Sequence, residues 1–333
     1  MTNDDAPISP ALPRTGAVPA TGGRVPGSLL RLSDFEPAAL KRAVELAREM
    51  KRDPGGWLHS LRGAALGCIF EKPSTRTRVS LATAAHRLGM HSMVISRDDM
   101  QLVHGETWAD TAQVLSSYLD AITLRTYEHT TVEQLAGRSS VPVVNALSDD
   151  HHPCQALADL LTLTEHFGTL AGLTVAFVGD GLSNTCNSFL EACASTGMHL
   201  TVATPPGHEP AASLLAEARA TMAATGGSVT VTADPAEAVR TAQAVYAEVW
   251  VPMHKRHERA ERAQRFAVYR VDRELLDRAA PGAVVLHCLP AVRGEEITSD
   301  VLDGPRSLVW RQAANRLPTA QAVLHTLVTA AQS

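Results

Sequence analysis

The stretch Ala64-Ala-Leu-Gly-Cys-Ile-Phe70-Glu-Lys-Pro-Ser-Thr-Arg-Thr-Arg-Val-Ser80 changes structural period partway along its length. Its opening run, 64–70, is unbroken apolar sequence and reads as a buried strand that stops just short of a proline. Ser74 then stands where a helix N-cap belongs, ahead of a helical pattern through Val79, Leu81 and Leu88. A buried strand feeding straight into a helix is the repeating unit of a parallel α/β sheet. Hydroxyls, free backbone N–H groups and two guanidiniums gather at one helix start, which makes a site for a dianion such as phosphate. Arg76 and Arg78 are two apart and leave the helix on different faces, so only one should hold the anion directly. The plainer alternative is a capped helix with solvated arginines.

The same rhythm continues outward from this unit, starting at Leu29. Strand candidates in the first half are 64–70, 91–95, 121–124 and 141–145, with helical patterns near 76–88, 107–119 and 131–136. The second half offers strands at 173–178, 200–203, 229–232, 244–247 and 283–287. The pattern predicts an α/β protein of two doubly wound parallel-sheet domains linked by interdomain helices. Residues 1–27, rich in Pro, Gly, Thr and Ala without periodicity, read as a disordered tail. The first domain is expected over 28–160 and the second over 161–316, joined by a helix over 155–167. A last amphipathic run, 319–331, is expected to return to the first domain as a helix within 317–333.

A chain of 333 residues suits two domains of about 150 residues each. The net charge of −5 and the lack of a sustained basic face argue against nucleic acid. The one basic cluster, His254-Lys-Arg-His-Glu-Arg259, is broken by Glu258 and Glu261 and reads as a solvated helix start. Five scattered cysteines without a C-x-x-C, and no apolar leader, suit reduced thiols in the cytoplasm. No apolar run approaches the ~20 residues of a membrane span.

Other motifs follow predicted strand ends, where open parallel sheets bind ligands. Val178-Gly-Asp-Gly-Leu-Ser-Asn184 has Asn where a dinucleotide fingerprint needs its third glycine, and no acidic residue ends the next strand. No G-x-x-x-x-G-K-[ST] loop is present either. His152-Pro-Cys-Gln155 opens the interdomain helix, and its His and Gln share a face. One side chain can donate to a carbonyl oxygen while the other reads an amide NH2; the alternative is a helix-start histidine with no ligand. A zinc site drawn from His151, His152, Cys154, His287 and Cys288 does not match the usual spacings. His287 and Cys288 are neighbours on a strand and point to opposite faces, a poor nucleophile–base pair. Cys288 also reads simply as a small buried apolar residue.

From about Leu29 to the C-terminus the chain resembles the ornithine carbamoyltransferases. The strings that carry the likeness are Phe70-Glu-Lys-Pro-Ser-Thr-Arg-Thr-Arg, Gln101-Leu-Val-His-Gly-Glu, Asp110-Thr-Ala-Gln-Val-Leu and His152-Pro-Cys-Gln. They continue, in the same order, with Ser183-Asn-Thr-Cys-Asn-Ser, His287-Cys-Leu-Pro-Ala-Val-Arg-Gly-Glu-Glu and Asn315-Arg-Leu. The resemblance implies that Ser74, Thr75, Arg76 and Thr77 hold the phosphate of carbamoyl phosphate. It implies that Arg125 bridges phosphate and carbonyl oxygen, that His152 joins it there, and that Gln155 reads the carbamoyl NH2. Cys288, Leu289 and Arg316 would complete this site. Gln101 would reach carbamoyl phosphate, on a loop that serves a neighbouring subunit of a homotrimer. The catalytic set would be Arg125, His152 and Cys288, with no metal and no organic cofactor.

The acceptor half departs from that pattern. The family carries Asp-Val-Trp-x-Ser-Met-Gly where this chain has Glu248-Val-Trp-Val-Pro-Met-His254. Glu248 keeps the charge but reaches one methylene further. Pro252 removes a hydroxyl and a backbone N–H, and His254 adds a titratable ring where glycine stands. With Asn184 retained, the acceptor contacts would be Asn184, Glu248, Pro252, Met253 and His254. The expectation is therefore a carbamoyltransferase acting on a diamine, a diamino acid or a larger molecule carrying one. Ornithine itself, giving citrulline, is the alternative, and a non-catalytic carbamoyl-phosphate-binding homologue a minor one.

Overall fold

The computed structural model describes residues 27–251 and 257–333. The first domain builds a four-stranded parallel sheet from β1 (Ala65–Phe70), β2 (His91–Ser96), β3 (Ala121–Arg125) and β4 (Val143–Leu147) in the order β2-β1-β3-β4. The central strands β1 and β3 are buried on both faces because helices cover both sides of the sheet. Around it lie α1 (Pro37–Arg52), α2 (Arg76–Leu88), α3 (Trp108–Ser116) and α4 (His129–Ala136). In α1 the buried positions Leu40, Ala43, Val44, Ala47 and Met50 form one stripe at helical spacing.

The second domain repeats the scheme with β5 (Thr174–Val178), β6 (His199–Ala203), β7 (Ser228–Thr232), β8 (Ala244–Ala247) and β9 (Val284–His287). All are parallel, in the order β7-β6-β5-β8-β9. Its principal helices are α6 (Asn184–Thr196) and α7 (Ala212–Thr225), with shorter helices α8 (Pro235–Val239), α9 (Arg259–Arg265), α10 (Arg273–Asp277) and α11 (Ser299–Leu302). The doubly wound prediction holds in both halves. In each sheet the chain winds first to one side and then to the other, reversing between β1 and β3 and between β5 and β8.

Two helices tie the halves together. Helix α5 (Pro153–Phe167) is buried without interruption from Pro153 to Leu163, as expected of a helix packed on all sides. Helix α12 (Val309–Ala331) lies against α1, α2 and α5. It starts ten residues before the expected Thr319, because Pro318 sits inside it rather than ahead of it. Burial on three neighbours offsets the lost hydrogen bond, a compensation that local sequence does not reveal. Strand β4 begins at Val143 instead of Val141, and Pro142 immediately precedes it. Among the described residues no helix is long and apolar enough to cross a membrane.

Candidate active site

The reversal in the first sheet puts the ends of β1 and β3 side by side, with Phe70 paired to Arg125. The loop 71–75 rises from β1 into α2. Its N-cap is Thr75, in the right-handed helical region, rather than Ser74, and no side chain caps the helix. The hydroxyls of Ser74 and Thr75 are therefore not consumed by the helix, and the first-turn N–H groups face outward. As the spacing predicted, the two arginines part company. Arg78 lies 4.9 Å over the Phe70 ring, while Arg76 donates from Nη2 to the Leu289 carbonyl in the other domain at 2.8 Å.

Arg125 is largely buried at the end of β3, and its Nε has no hydrogen-bond partner among the described residues. Burial, then the Arg316 and Arg76 guanidiniums, lower its pKa to about 10. His152 caps the start of α5, and its backbone N–H donates to Ser188 Oγ of α6 at 2.7 Å. Its Nδ1 is likewise buried without a partner. Burial, then Arg316, Arg125 and Arg76, hold its pKa well below the usual histidine value, so the imidazole is neutral. Three guanidiniums thus act on one neutral imidazole and on one another. A phosphate dianion relieves their repulsion, and neutral His152 can still donate one hydrogen bond to a carbonyl oxygen.

Gln155 and Arg316 join this cluster from the interdomain helices. Arg316 of α12 donates from Nη1 to Gln155 Oε1 at 2.7 Å and from Nη2 to Thr77 Oγ1 at 2.9 Å. Gln155 Nε2 donates in turn to Asp159 Oδ1 at 2.8 Å. A donor-only guanidinium on one side and a carboxyl acceptor on the other fix which end of the amide is oxygen. Gln155 Oε1 has a second lone pair available to an NH2 group. With its oxygen occupied by Arg316, Thr77 can direct its hydroxyl proton elsewhere.

The second reversal point lies between the ends of β5 and β8. Gly179 has φ 144°, and a Cβ there would stand 2.9 Å from Glu248 Cβ, so only glycine lets this turn approach β8. Glu248 is buried, and burial followed by Asp180 raises its pKa well above the usual carboxyl value. The Cys288 thiol donates to Glu248 Oε2 at 3.6 Å. Burial and Glu248 raise the thiol well above its ordinary pKa, which suits a neutral contact group rather than a nucleophile. His287 points the other way, as its strand position predicted: its Nε2 bonds Glu296 at 3.1 Å and its Nδ1 accepts from Leu289 N at 2.8 Å. That bond holds Leu289 at φ 56°, an uncommon conformation for leucine, with its carbonyl turned to Arg76. Asn184 Nδ2 reaches back to the Ser148 carbonyl of the first domain at 2.6 Å.

Gln101 is not brought to the cluster: it sits exposed on a short 3-10 turn and makes no side-chain hydrogen bond to it. Pro252, Met253 and His254 lie outside the described residues. Among the described residues no group of three or more His, Cys, Asp or Glu side chains is arranged to hold a metal ion. Sequence reasoning missed the polar groups behind the site. Asp159, Tyr246 and Gln312 form one buried network. Arg262 joins Asp180 at 2.7 Å to the Trp250 carbonyl at 2.9 Å. Only Asp159 left a signal, being one helical turn after Gln155.

Residues 28–165 match the family model described as aspartate/ornithine carbamoyltransferase, carbamoyl-P binding domain. Residues 171–327 match the model of the corresponding Asp/Orn binding domain. The chain is 48% identical over 303 residues to the ornithine carbamoyltransferase of Methanoculleus marisnigri, covering 90% of this chain and 96% of that one. It is similar to the solved structure of ornithine carbamoyltransferase from Pyrococcus furiosus, with a TM-score of 0.87 and 44% identity over 91% of this chain and 97% of that one. The enzyme from Thermus thermophilus gives a TM-score of 0.83 at 43% identity, over 92% and 100% of the two chains. These likenesses span both domains in order, so the chain belongs to the ornithine carbamoyltransferase family and is a carbamoyltransferase with a carbamoyl-phosphate-binding domain.

Proposed function

We propose that the protein transfers the carbamoyl group of carbamoyl phosphate to the side-chain amine of ornithine, releasing citrulline and phosphate. The observation that carries this reading is the near full-length likeness to proteins named ornithine carbamoyltransferase, at 48% identity for the Methanoculleus relative. It favours the ornithine alternative over the expectation of a different amine. The reaction divides naturally between the domains. The helix start 74–77 and Arg76 take the phosphate, and Arg125 and neutral His152 face the carbonyl oxygen. Gln155 Oε1 accepts from the carbamoyl NH2. The acceptor enters beside Asn184, Glu248 and Cys288, and its neutral amine attacks the carbamoyl carbon. Negative charge grows on the oxygen, the bond to the phosphate oxygen breaks, and phosphate leaves with the proton that the attacking nitrogen gives up. Closure between the domains excludes water that would otherwise hydrolyse carbamoyl phosphate.

A second reading keeps another primary amine as acceptor, and the segment Glu248-Val-Trp-Val-Pro-Met-His254 favours it. Phosphate release is measured with ornithine, lysine, shorter diamino acids, putrescine and larger molecules bearing a diamino-acid residue. Ornithine should give the highest kcat/KM, within the ~10⁴–10⁸ M⁻¹s⁻¹ range of ordinary enzymes. A different amine winning by 10-fold or more selects the second reading. In that case the combined change Glu248→Asp, Pro252→Ser and His254→Gly should move preference toward ornithine. We also propose a homotrimer in which Gln101 serves a neighbouring site. Sedimentation at assay concentration tests it, and a fully active monomer rejects it.

A further inference from the structure

Behind Gln155, away from the guanidinium cluster, lies a carboxyl group that the reaction itself does not use. Asp159 is completely buried in α5. Its Oδ1 accepts from Gln155 Nε2 at 2.8 Å and from Gln312 Nε2 at 2.6 Å. Its Oδ2 accepts from the Tyr246 hydroxyl at 3.1 Å. The three donors come from α5, α12 and β8, so one side chain meets both interdomain helices and the second sheet. The far end of each glutamine faces the site. Gln155 Oε1 is held by Arg316, and Gln312 Oε1 accepts the backbone N–H of His287 at 2.9 Å, next to Cys288.

We propose that Asp159 is a positioning residue whose Oδ1 sets the orientation of two amides at once. It turns the Gln155 oxygen toward the carbamoyl NH2 and the Gln312 oxygen toward the strand end that carries Cys288. The two ends of a glutamine amide have nearly the same shape, so only their partners distinguish them. Without an acceptor behind it, Gln155 either buries an unpaired NH2 or rotates that NH2 toward the site, against the Arg316 guanidinium that now holds its oxygen. There it would meet the substrate's own NH2, donor against donor. Burial lifts the Asp159 carboxyl to about 7 against the pull of its three donors. Both glutamine bonds end on Oδ1, so a proton on Oδ2 against Tyr246 leaves the arrangement intact. The acceptor oxygen carries the function, not the charge.

This inference rests on the reading that Gln155 recognises the carbamoyl NH2, and the variants separate the two. Calorimetry compares carbamoyl phosphate with inorganic phosphate, which has no NH2. Asp159→Leu should weaken carbamoyl phosphate by about 10-fold or more, the scale of one buried unpaired donor, and leave phosphate within about 2-fold. Asp159→Asn keeps an oxygen at Oδ1 and should retain near-parental affinity for both. Gln155→Met is the control and should show the same selective loss as Asp159→Leu. If Gln155→Met binds carbamoyl phosphate normally, the reading of Gln155 is wrong. If it shows the loss and Asp159→Leu does not, Asp159 has no orienting role. Parallel weakening of both ligands in Asp159→Leu also overturns the proposal, because it marks a general collapse of the site. Should Asp159→Leu fail to fold, Asp159→Ser gives the same comparison, since its hydroxyl stops short of both amides.

Discussion

Arg125→Ala is expected to lower kcat about 10²–10³-fold, the cost of removing one preorganised oxyanion donor. The argument starts from its surroundings. Arg125 is largely buried, its Nε has no partner among the described residues, and the charges that lower its pKa are Arg316 and Arg76. A guanidinium held in that company at the end of β3 does little for the fold, so its loss should appear in turnover and not in stability. His152→Ala should fall in the same range, with the acceptor KM nearly unchanged, because the proposed contact is to charge that develops at the carbonyl oxygen. The neutral state of His152 adds a check on pH. Burial and three guanidiniums hold it well below the usual histidine value, so its contribution does not titrate near 6.5. The factor lost in His152→Ala should therefore be equal at pH 6 and at pH 8. A loss that changes with pH through about 6.5, in either direction, would mean that the imidazole is protonated at the lower pH and that the electrostatic picture of the site is wrong.

Periodicity carried most of the architecture. Helix α2 spans Arg76–Leu88 and β8 spans Ala244–Ala247, both as the sequence pattern predicts, because each is bounded by its own local signals. Gly89 at φ 84° closes α2, a C-terminal signal that a single residue supplies. The errors lie where tertiary packing outweighs local preference. Pro318 reads as a barrier in sequence, yet it sits within α12 because that helix is packed against α1, α2 and α5. Ser74 reads as the cap, but the loop carries one residue further and Thr75 takes the position without a capping bond. That local shift leaves hydroxyls at the helix start free of the backbone.

The site was legible in a similarly uneven way. Arg76, Thr77, His152 and Gln155 fall into strings whose residue types suit anion and amide recognition, while Arg125 and Arg316 are expected at the site only through the family likeness. Their convergence depends on two sheets reversing direction at neighbouring places, which no short string encodes. Asp159, Tyr246 and Gln312 carry ordinary helix and strand positions in sequence. Their partnership appears only when α5, α12 and β8 meet. Gln101 illustrates the reverse case. Its string is recognisable, yet the fold leaves it exposed on a short 3-10 turn, away from the cluster.

Glu191→Ala should destabilise the protein by about 2–3 kcal/mol, the cost of losing charge-assisted hydrogen bonds and leaving the buried Leu32 N–H without its acceptor. Glu191 is a buried carboxylate on α6 of the second domain, with a relative exposure of 4%. It accepts from Arg31 Nε at 2.6 Å, Leu32 N at 2.9 Å and Ser33 Oγ at 3.3 Å. One side chain thereby anchors the segment that enters the first domain. Burial lifts the Glu191 carboxyl even against Arg31, while the same contact lifts the Arg31 guanidinium. The short contact, with a backbone N–H on the second oxygen, decides for the ionised pair at neutral pH. His151 stands 3.7 Å away but adds no ion pair, because burial and then His129 hold it down to about 3. Arg31 also reaches Glu217 at 2.7 Å, and that carboxylate is 58% exposed. Glu217→Ala should therefore cost no more than about 1 kcal/mol, since water screens the pair and replaces it. Urea unfolding of the two variants side by side checks the contrast. Equal losses would show that burial does not set the strength of this junction. Carbamoyl-phosphate affinity well below the transition should be unchanged in Glu191→Ala, because its carboxylate makes no hydrogen bond to Arg76, Arg125 or Gln155.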